Sequence, residues 1–144
     1  MAVELKRTAA ILKDKGDEVL SQTLERWSQT ITNGIWDHGI VNHAKYGQVF
    51  AYEVDGYGST IMMDDANYPS LLALPLMGFV PADDQTYQNT RKMLLEKSSN
   101  PYYLIGRQFK GIGGEFIIAP GQPISLLLTE NPQDLTLGSR TPGR

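Results

Sequence analysis

No cysteine occurs in the 144 residues, so neither a disulfide nor a thiolate zinc site is open to this chain. That absence suits a reducing and an oxidising compartment equally and leaves localisation undetermined. Long apolar runs are missing as well. No stretch approaches the roughly 18 residues of a membrane span, and Met1-Ala-Val-Glu-Leu-Lys-Arg7 lacks the apolar core of a signal peptide. The chain therefore reads as soluble, with no membrane partner. Positive charge is not in excess either: 13 Lys and Arg against 16 Asp and Glu give a formal net charge of −3. Without a basic footprint, nucleic acid is not an expected partner. There is no internal repeat, and the length is that of one ordinary domain.

What is present begins with helix. Residues from Ala2 to about Ile35 favour it, with Gly16 as a break between two helices. Leu20, Leu24, Trp27 and Ile31 recur at helical spacing and form an apolar stripe that needs a partner surface. Tyr46 to Val54 contains Val49, Phe50, Tyr52 and Val54, which suit a strand, and Ile61-Met62-Met63 is placed to pair back after the Gly56–Gly58 turn. Asn67-Tyr-Pro-Ser70 reads as a helix start, with Pro69 in the first turn and Leu71, Leu72, Leu74, Leu76 and Met77 buried behind it. Pro75 is expected to kink or end that helix, and Gly78 to stop it. A further helix follows Pro81-Ala-Asp-Asp84 and ends before Asn100-Pro101. Pro101-Tyr-Tyr103 and Gly111-Ile-Gly-Gly114 read as loops. The Pro-, Gly-, Ser- and Thr-rich residues 129–144 read as a disordered tail.

Chemistry concentrates between Tyr52 and Tyr68. Glu53, Asp55, Asp64, Asp65 and Asn67 supply carboxylates and an amide for hydroxyl groups, and Tyr52, Tyr57 and Tyr68 supply rings for the apolar face of a pyranose. A plainly structural reading stands beside this one. Asp55-Gly56 then makes a turn, Asp65 or Asn67 caps a helix, and the tyrosines are core. The same carboxylates offer hard oxygen ligands, but their spacing fits no calcium loop. They also offer the paired carboxyls of a glycosidase, although spacing does not say which pair would serve. His38 and His43 lie near a helix end, where capping or exposure is expected. The glycines at 111–114 lack the lysine of a phosphate-binding loop.

Taken as a string, Phe50-Ala-Tyr-Glu-Val-Asp-Gly-Tyr-Gly58 and Met63-Asp-Asp-Ala-Asn-Tyr-Pro-Ser-Leu-Leu72 resemble the signature of glycoside hydrolase family 125. His38-Gly-Ile-Val41, Leu74-Pro75, Tyr87-Gln-Asn-Thr-Arg91, Asn100-Pro-Tyr-Tyr103 and Gly111-Ile-Gly113 agree in the same order, so the likeness runs from about position 3 to 114. The resemblance implies a mainly α chain forming part of an (α/α)6 barrel, with helical hairpins and a short β-hairpin-like segment around 48–63. It implies an inverting exo-α-mannosidase that removes terminal α-1,6-linked mannose without a catalytic metal or other cofactor. Inversion places a general acid and a general base about 6.5–9.5 Å apart. Mannose-containing glycans would be the partner. Glu53, Asp55, Asp64, Asp65 and Asn67 would form a wall that binds sugar hydroxyls or orients the groups that do.

The sequence departs from the family pattern in instructive places. Family members are several times longer, and their acid and base motifs lie on either side of the part that matches. Neither motif is visible here, so the catalytic residues are unassigned. Glu115-Phe116 stands where a Pro-His pair is usual, and Pro123-Ile-Ser-Leu-Leu127 only faintly echoes the helix that follows. Residues 1–128 are thus expected to be a piece of a family 125 catalytic domain, as a truncated or mis-spliced reading frame would give, and weak or inactive alone. A non-catalytic carbohydrate-binding module is the alternative, as is self-association through the helix stripe at Trp27.

Overall fold

Gly16 divides the first helical stretch as its backbone freedom allows. The computed structural model, which describes residues 1–108 and 110–113, has α1 over Ala2–Asp14 and α2 over Glu18–His38. Gly16 takes φ 83° between them, a left-handed conformation that residues with a Cβ avoid. Asp17 then caps α2 by accepting from Leu20 N at 3.1 Å. The two helices fold back on each other through small residues. Ser21 and Ser28 of α2 are buried against Ala9 and Ala2 of α1, and their hydroxyls donate to the Ala9 and Ala2 carbonyls at 2.9 and 2.8 Å.

This seam lies one position round the helix from the expected stripe. Leu20 and Trp27 are 44% and 54% exposed, because a close helix contact admits serine and alanine and has no room for indole. The stripe therefore stays open at Leu20 and Trp27, while Leu24 and Ile31 are half-buried. Helix α2 also continues past Ile35 to His38, where Gly39 ends it with its N–H on the Ile35 carbonyl at 2.8 Å. A Cβ on Gly39 would lie 2.8 Å from that same oxygen, so only glycine fits the turn.

Immediately after Gly39 comes a strand that the sequence did not announce. Strand β1 (Ile40–His43) pairs antiparallel with β2 (Gly47–Phe50), matching Ile40 to Phe50 and His43 to Gly47. β3 (Glu53–Val54) and β4 (Thr60–Ile61) then form the expected hairpin, in the register Glu53 to Ile61. No helix starts at Asn67. Tyr68–Pro69 is a cis peptide bond, and the short helix α3 spans Leu74–Met77, with Pro75 in its first turn where no N–H is required. Leu72 is buried but Leu76 is 61% exposed, since one turn of helix presents only one face. Gly78 stops α3 at φ 80°, as expected.

Helix α4 (Gln85–Leu94) follows its predicted acidic start, with Asp84 Oδ1 accepting from Tyr87 N at 2.8 Å. It packs on β2. Thr90 Oγ1 accepts the buried Phe50 amide at 2.8 Å, and Asn89 Nδ2 reaches the Gln48 carbonyl at 3.1 Å, so the helix satisfies polar groups on β2. Lys45, in the β1–β2 turn, pairs with Glu96 just beyond α4 at 2.5 Å, and the Tyr46 hydroxyl donates to the same carboxylate. Tyr103 and Gly111-Ile112, expected in loops, belong instead to β5 (Tyr103–Ile105) and β6 (Lys110–Ile112), an antiparallel pair.

Two apolar clusters hold these elements together. One joins Val49, Leu72, Met93, Leu94, Tyr103 and Ile112, and the other joins Phe50, Val80 and Tyr87. Each large side chain so buried contributes about 1.5–3 kcal/mol. Among the described residues no helix is long and apolar enough to cross a membrane. The expected tail at 129–144, and the departures at Glu115-Phe116 and Pro123 to Leu127, lie outside the described residues.

Candidate functional site

Between Tyr52 and Tyr68 the backbone makes an exposed hairpin followed by a buried loop. The hairpin carries Glu53 on β3 and Asp55 at its turn. Asp55 Oδ1 accepts from Tyr57 N at 2.7 Å and from Ser59 N at 3.0 Å, and these amides hold its pKa below the ordinary carboxylate value. The turn reading of Asp55-Gly56 thus describes its local geometry. Gly56 at φ 75° and Gly58 at φ 102° complete the reversal. Tyr57 at the tip is 97% exposed and Tyr68 is 65% exposed. Neither is a core residue, which overturns the structural reading of these tyrosines and leaves their rings available.

Three residues after β4, Asp64 is wholly buried. Its Oδ2 accepts from Leu72 N at 3.0 Å, while its Oδ1 has no hydrogen-bond partner among the described residues. Burial pushes the Asp64 pKa up to about 7, against the opposing pull of the Leu72 and Leu71 amides. A carboxyl near neutrality is often a catalytic flag. Here the side chain is sealed from solvent and holds the loop through Leu72 N. Asp65 is buried too, at 7% exposure, and its carboxylate engages exposed Asn67: Oδ1 accepts from Asn67 N at 2.9 Å and Oδ2 from Asn67 Nδ2 at 2.7 Å. A carboxylate oxygen has a second lone pair, and the amide of exposed Asn67 retains an N–H and its carbonyl oxygen.

Beside this loop opens a cleft of about 750 Å³, whose walls include Tyr52, Glu53, Tyr68 and Pro69 together with Ile35, Phe50, Leu74 and Phe79. The structure therefore brings Glu53 and the Tyr68-Pro69 end of the loop to one cavity. Asp64, Asp65 and Asn67 are not among the residues that line it, and Asp55 is engaged in its own turn. Trp36, Phe50 and Phe79 form an aromatic group at the cleft, with Trp36 and Phe79 nearly parallel at 6.2 Å. Among the described residues no three His, Asp or Glu side chains gather as a metal site requires. His38 is exposed in the last turn of α2, and His43 Nδ1 accepts from Lys45 N at 3.1 Å, both in keeping with capping or exposure.

Sequence reasoning assigned no role in the site to Asn100 or Ser70. Ser70 is buried and its Oγ accepts from Ala73 N at 3.2 Å, closing the turn that leads into α3. Asn100 is fully buried and donates to the Asp64 carbonyl. The available signal was the Asn-Pro pair after α4, which reads equally well as a helix stop.

The family profile described as metal-independent alpha-mannosidase (GH125) matches residues 1–130. The meiotically up-regulated gene 157 protein of Schizosaccharomyces pombe is 50% identical over 129 residues, covering 89% of this chain and 25% of that protein. A solved Streptococcus pneumoniae structure, described as a metal-independent alpha mannosidase in a non-productive substrate complex with alpha-1,6-mannobiose, matches with a TM-score of 0.74 at 34% identity. That match covers 79% of this chain and 28% of the other. The chain thus spans about a quarter of the length of these relatives. Its helices with a few short sheets are similar to the corresponding part of the solved structure.

Proposed function

The chain belongs to the metal-independent α-mannosidases of glycoside hydrolase family 125, and on that premise we propose that it forms one wall of a pocket for terminal α-linked mannose. The carrying observation is the Asp65–Asn67 pair, joined by two hydrogen bonds and next along the chain to exposed Tyr68, which lines the cleft. Carboxylate and amide would take adjacent hydroxyls while a tyrosine ring covers the apolar face of the sugar. Glu53 would contribute from the opposite side of the cleft, Asp64 would orient the loop, and Asp55 would rigidify the hairpin tip. In a full-length family member this wall would sit within an (α/α)6 barrel, and the preference would be for an α-1,6 linkage.

Inverting hydrolysis requires a protonated acid at the leaving oxygen and a base that activates water. Asp64 is sealed and Asp55 is committed to its turn, so neither is assigned to those roles. The expected behaviour of the chain alone is weak sugar binding with little or no turnover. Titration calorimetry with α-1,6-mannobiose should give a Kd on the order of 1 mM, lost in Asp65→Asn, with no mannose released. Absence of saturable binding by the folded chain would remove the pocket-wall reading. Mannose release that disappears in Asp65→Asn would remove the inactive one.

A second reading concerns association. Leu20 and Trp27 leave an apolar strip open on α2, the kind of surface that marks an interaction site. Light scattering should show a concentration-dependent increase in mass that Trp27→Ser reduces. A monodisperse monomer at high concentration counts against it.

A further inference from the structure

We propose that Asn100 is a positioning residue for the sugar-facing pair Asp65 and Asn67, acting through the backbone of Asp64. The inference rests on the pocket-wall reading above and extends it to a residue that never reaches the cleft.

Asn100 is wholly buried and sits between three separate parts of the chain. Its Nδ2 donates to the Asp64 carbonyl at 3.0 Å and to the Leu94 carbonyl at 3.2 Å, while its Oδ1 accepts from Tyr102 N at 3.2 Å. One side chain thereby ties the last residue of α4, the approach to β5 and the peptide unit that joins Asp64 to Asp65. The next amide is fixed by the same assembly. Ala66 N donates to the Gly113 carbonyl at 3.1 Å, and Gly113 N donates to the Tyr102 carbonyl at 2.9 Å. From the other direction Leu72 N holds the Asp64 carboxylate. Residues 64–66 are thus clamped at consecutive points, and the Asp65–Asn67 bonds form at the end of that clamp.

The chemistry singles out an amide. Two donors and one acceptor are needed within a short reach, and asparagine supplies all three. Aspartate at this position would keep the acceptor and turn a carboxyl oxygen toward two carbonyls. Alanine would leave both carbonyls and the Tyr102 amide without partners. Either change should release the peptide before Asp65 while leaving the α1–α2 hairpin intact, since Asn100 bonds to neither helix.

Hydrogen exchange and α-1,6-mannobiose titration on the full chain test this, using wild type, Asn100→Ala and Asn100→Asp, with Asn100→Ser as a milder variant that keeps one donor. In the variants the Ala66 and Asn67 amides should exchange at least about tenfold faster while those of Ser21 and Thr32 keep their protection. Affinity for the disaccharide should fall about tenfold or more. Uniform loss of protection across α1 and α2 in all three variants would overturn the positioning role in favour of general stability. Variants that bind as wild type does would overturn it alone. A folded wild type that binds no disaccharide would overturn the pocket-wall reading, and the positioning role with it.

Discussion

Asp55 and Asp64 stand in the same short stretch of chain, and their surroundings drive them in opposite directions. At the hairpin tip, water and two backbone amides stabilise the charged form of Asp55. In the loop below, backbone amides led by Leu72 also reach Asp64, but burial outweighs them and the group is pushed toward neutrality. Identical side chains thus serve as a surface turn-maker and as a buried anchor. The contrast shows why a row of carboxylates in a sequence is not yet a site: access decides which of them can meet a ligand.

The largest test of this contrast is the pH dependence of stability. Asp64 titrates near pH 7 when folded and near 4 when unfolded. Below about pH 4 both states hold the proton and the group has no effect on the balance. Between about 4 and 7 only the unfolded chain releases it, so unfolding becomes easier as pH rises, by up to about 4 kcal/mol in total. Above 7 the effect is constant. Asp64→Asn, which keeps an acceptor for Leu72 N, should flatten that slope in urea unfolding measured from pH 4 to 8. Parallel curves for the two proteins would mean that Asp64 is ionised in the fold, and the contrast would collapse.

A smaller effect is expected where a buried polar group has its partners. Thr90 is as deeply buried as Asp64, yet its hydroxyl accepts from Phe50 N and donates to the Thr86 carbonyl at 2.7 Å. Thr90→Val should cost about 1–3 kcal/mol by stranding the Phe50 amide, with no change in pH profile. A pH-dependent loss would show that the two buried sites are coupled. The smallest effect belongs to Asp55→Ala. Exchange at the Tyr57 and Ser59 amides should accelerate while the global unfolding midpoint stays put, and a shifted midpoint would show that the hairpin tip supports the rest of the fold.

Much of this was legible where the controlling interactions are local. Gly16, Gly78 and Asp84 mark helix ends through their own backbone or side-chain chemistry, and the β3–β4 hairpin is announced by Gly56 and Gly58 between Val54 and Ile61. Family 125 membership was legible in the ordered motifs, because long strings of uncommon residues are specific where single spacings are not. What could not be read depends on distant partners. Strand β1 is defined by β2, and β5 by β6. The buried face of α2 is chosen by Ala2 and Ala9 of another helix, and Pro69 failed to start a helix in a loop held by Leu72, Gly113 and Asn100. Within the candidate site, residue types were visible but exposure was not, so Asp64 and Asp65 looked equivalent although one is sealed and the other reaches Asn67.

The serine–alanine seam of the α1–α2 hairpin has one more consequence. Ser21 and Ser28 are separated by the same interval as Ala2 and Ala9, about two helical turns, and each hydroxyl meets a carbonyl across the contact. The two bonds work like a pair of dowels. Sliding one helix along the other would break both together, and inserting or deleting a residue between the dowels would leave at least one hydroxyl facing the wrong turn. The length of each helix between these contacts is therefore fixed more strictly than the identity of the residues on its outer surface.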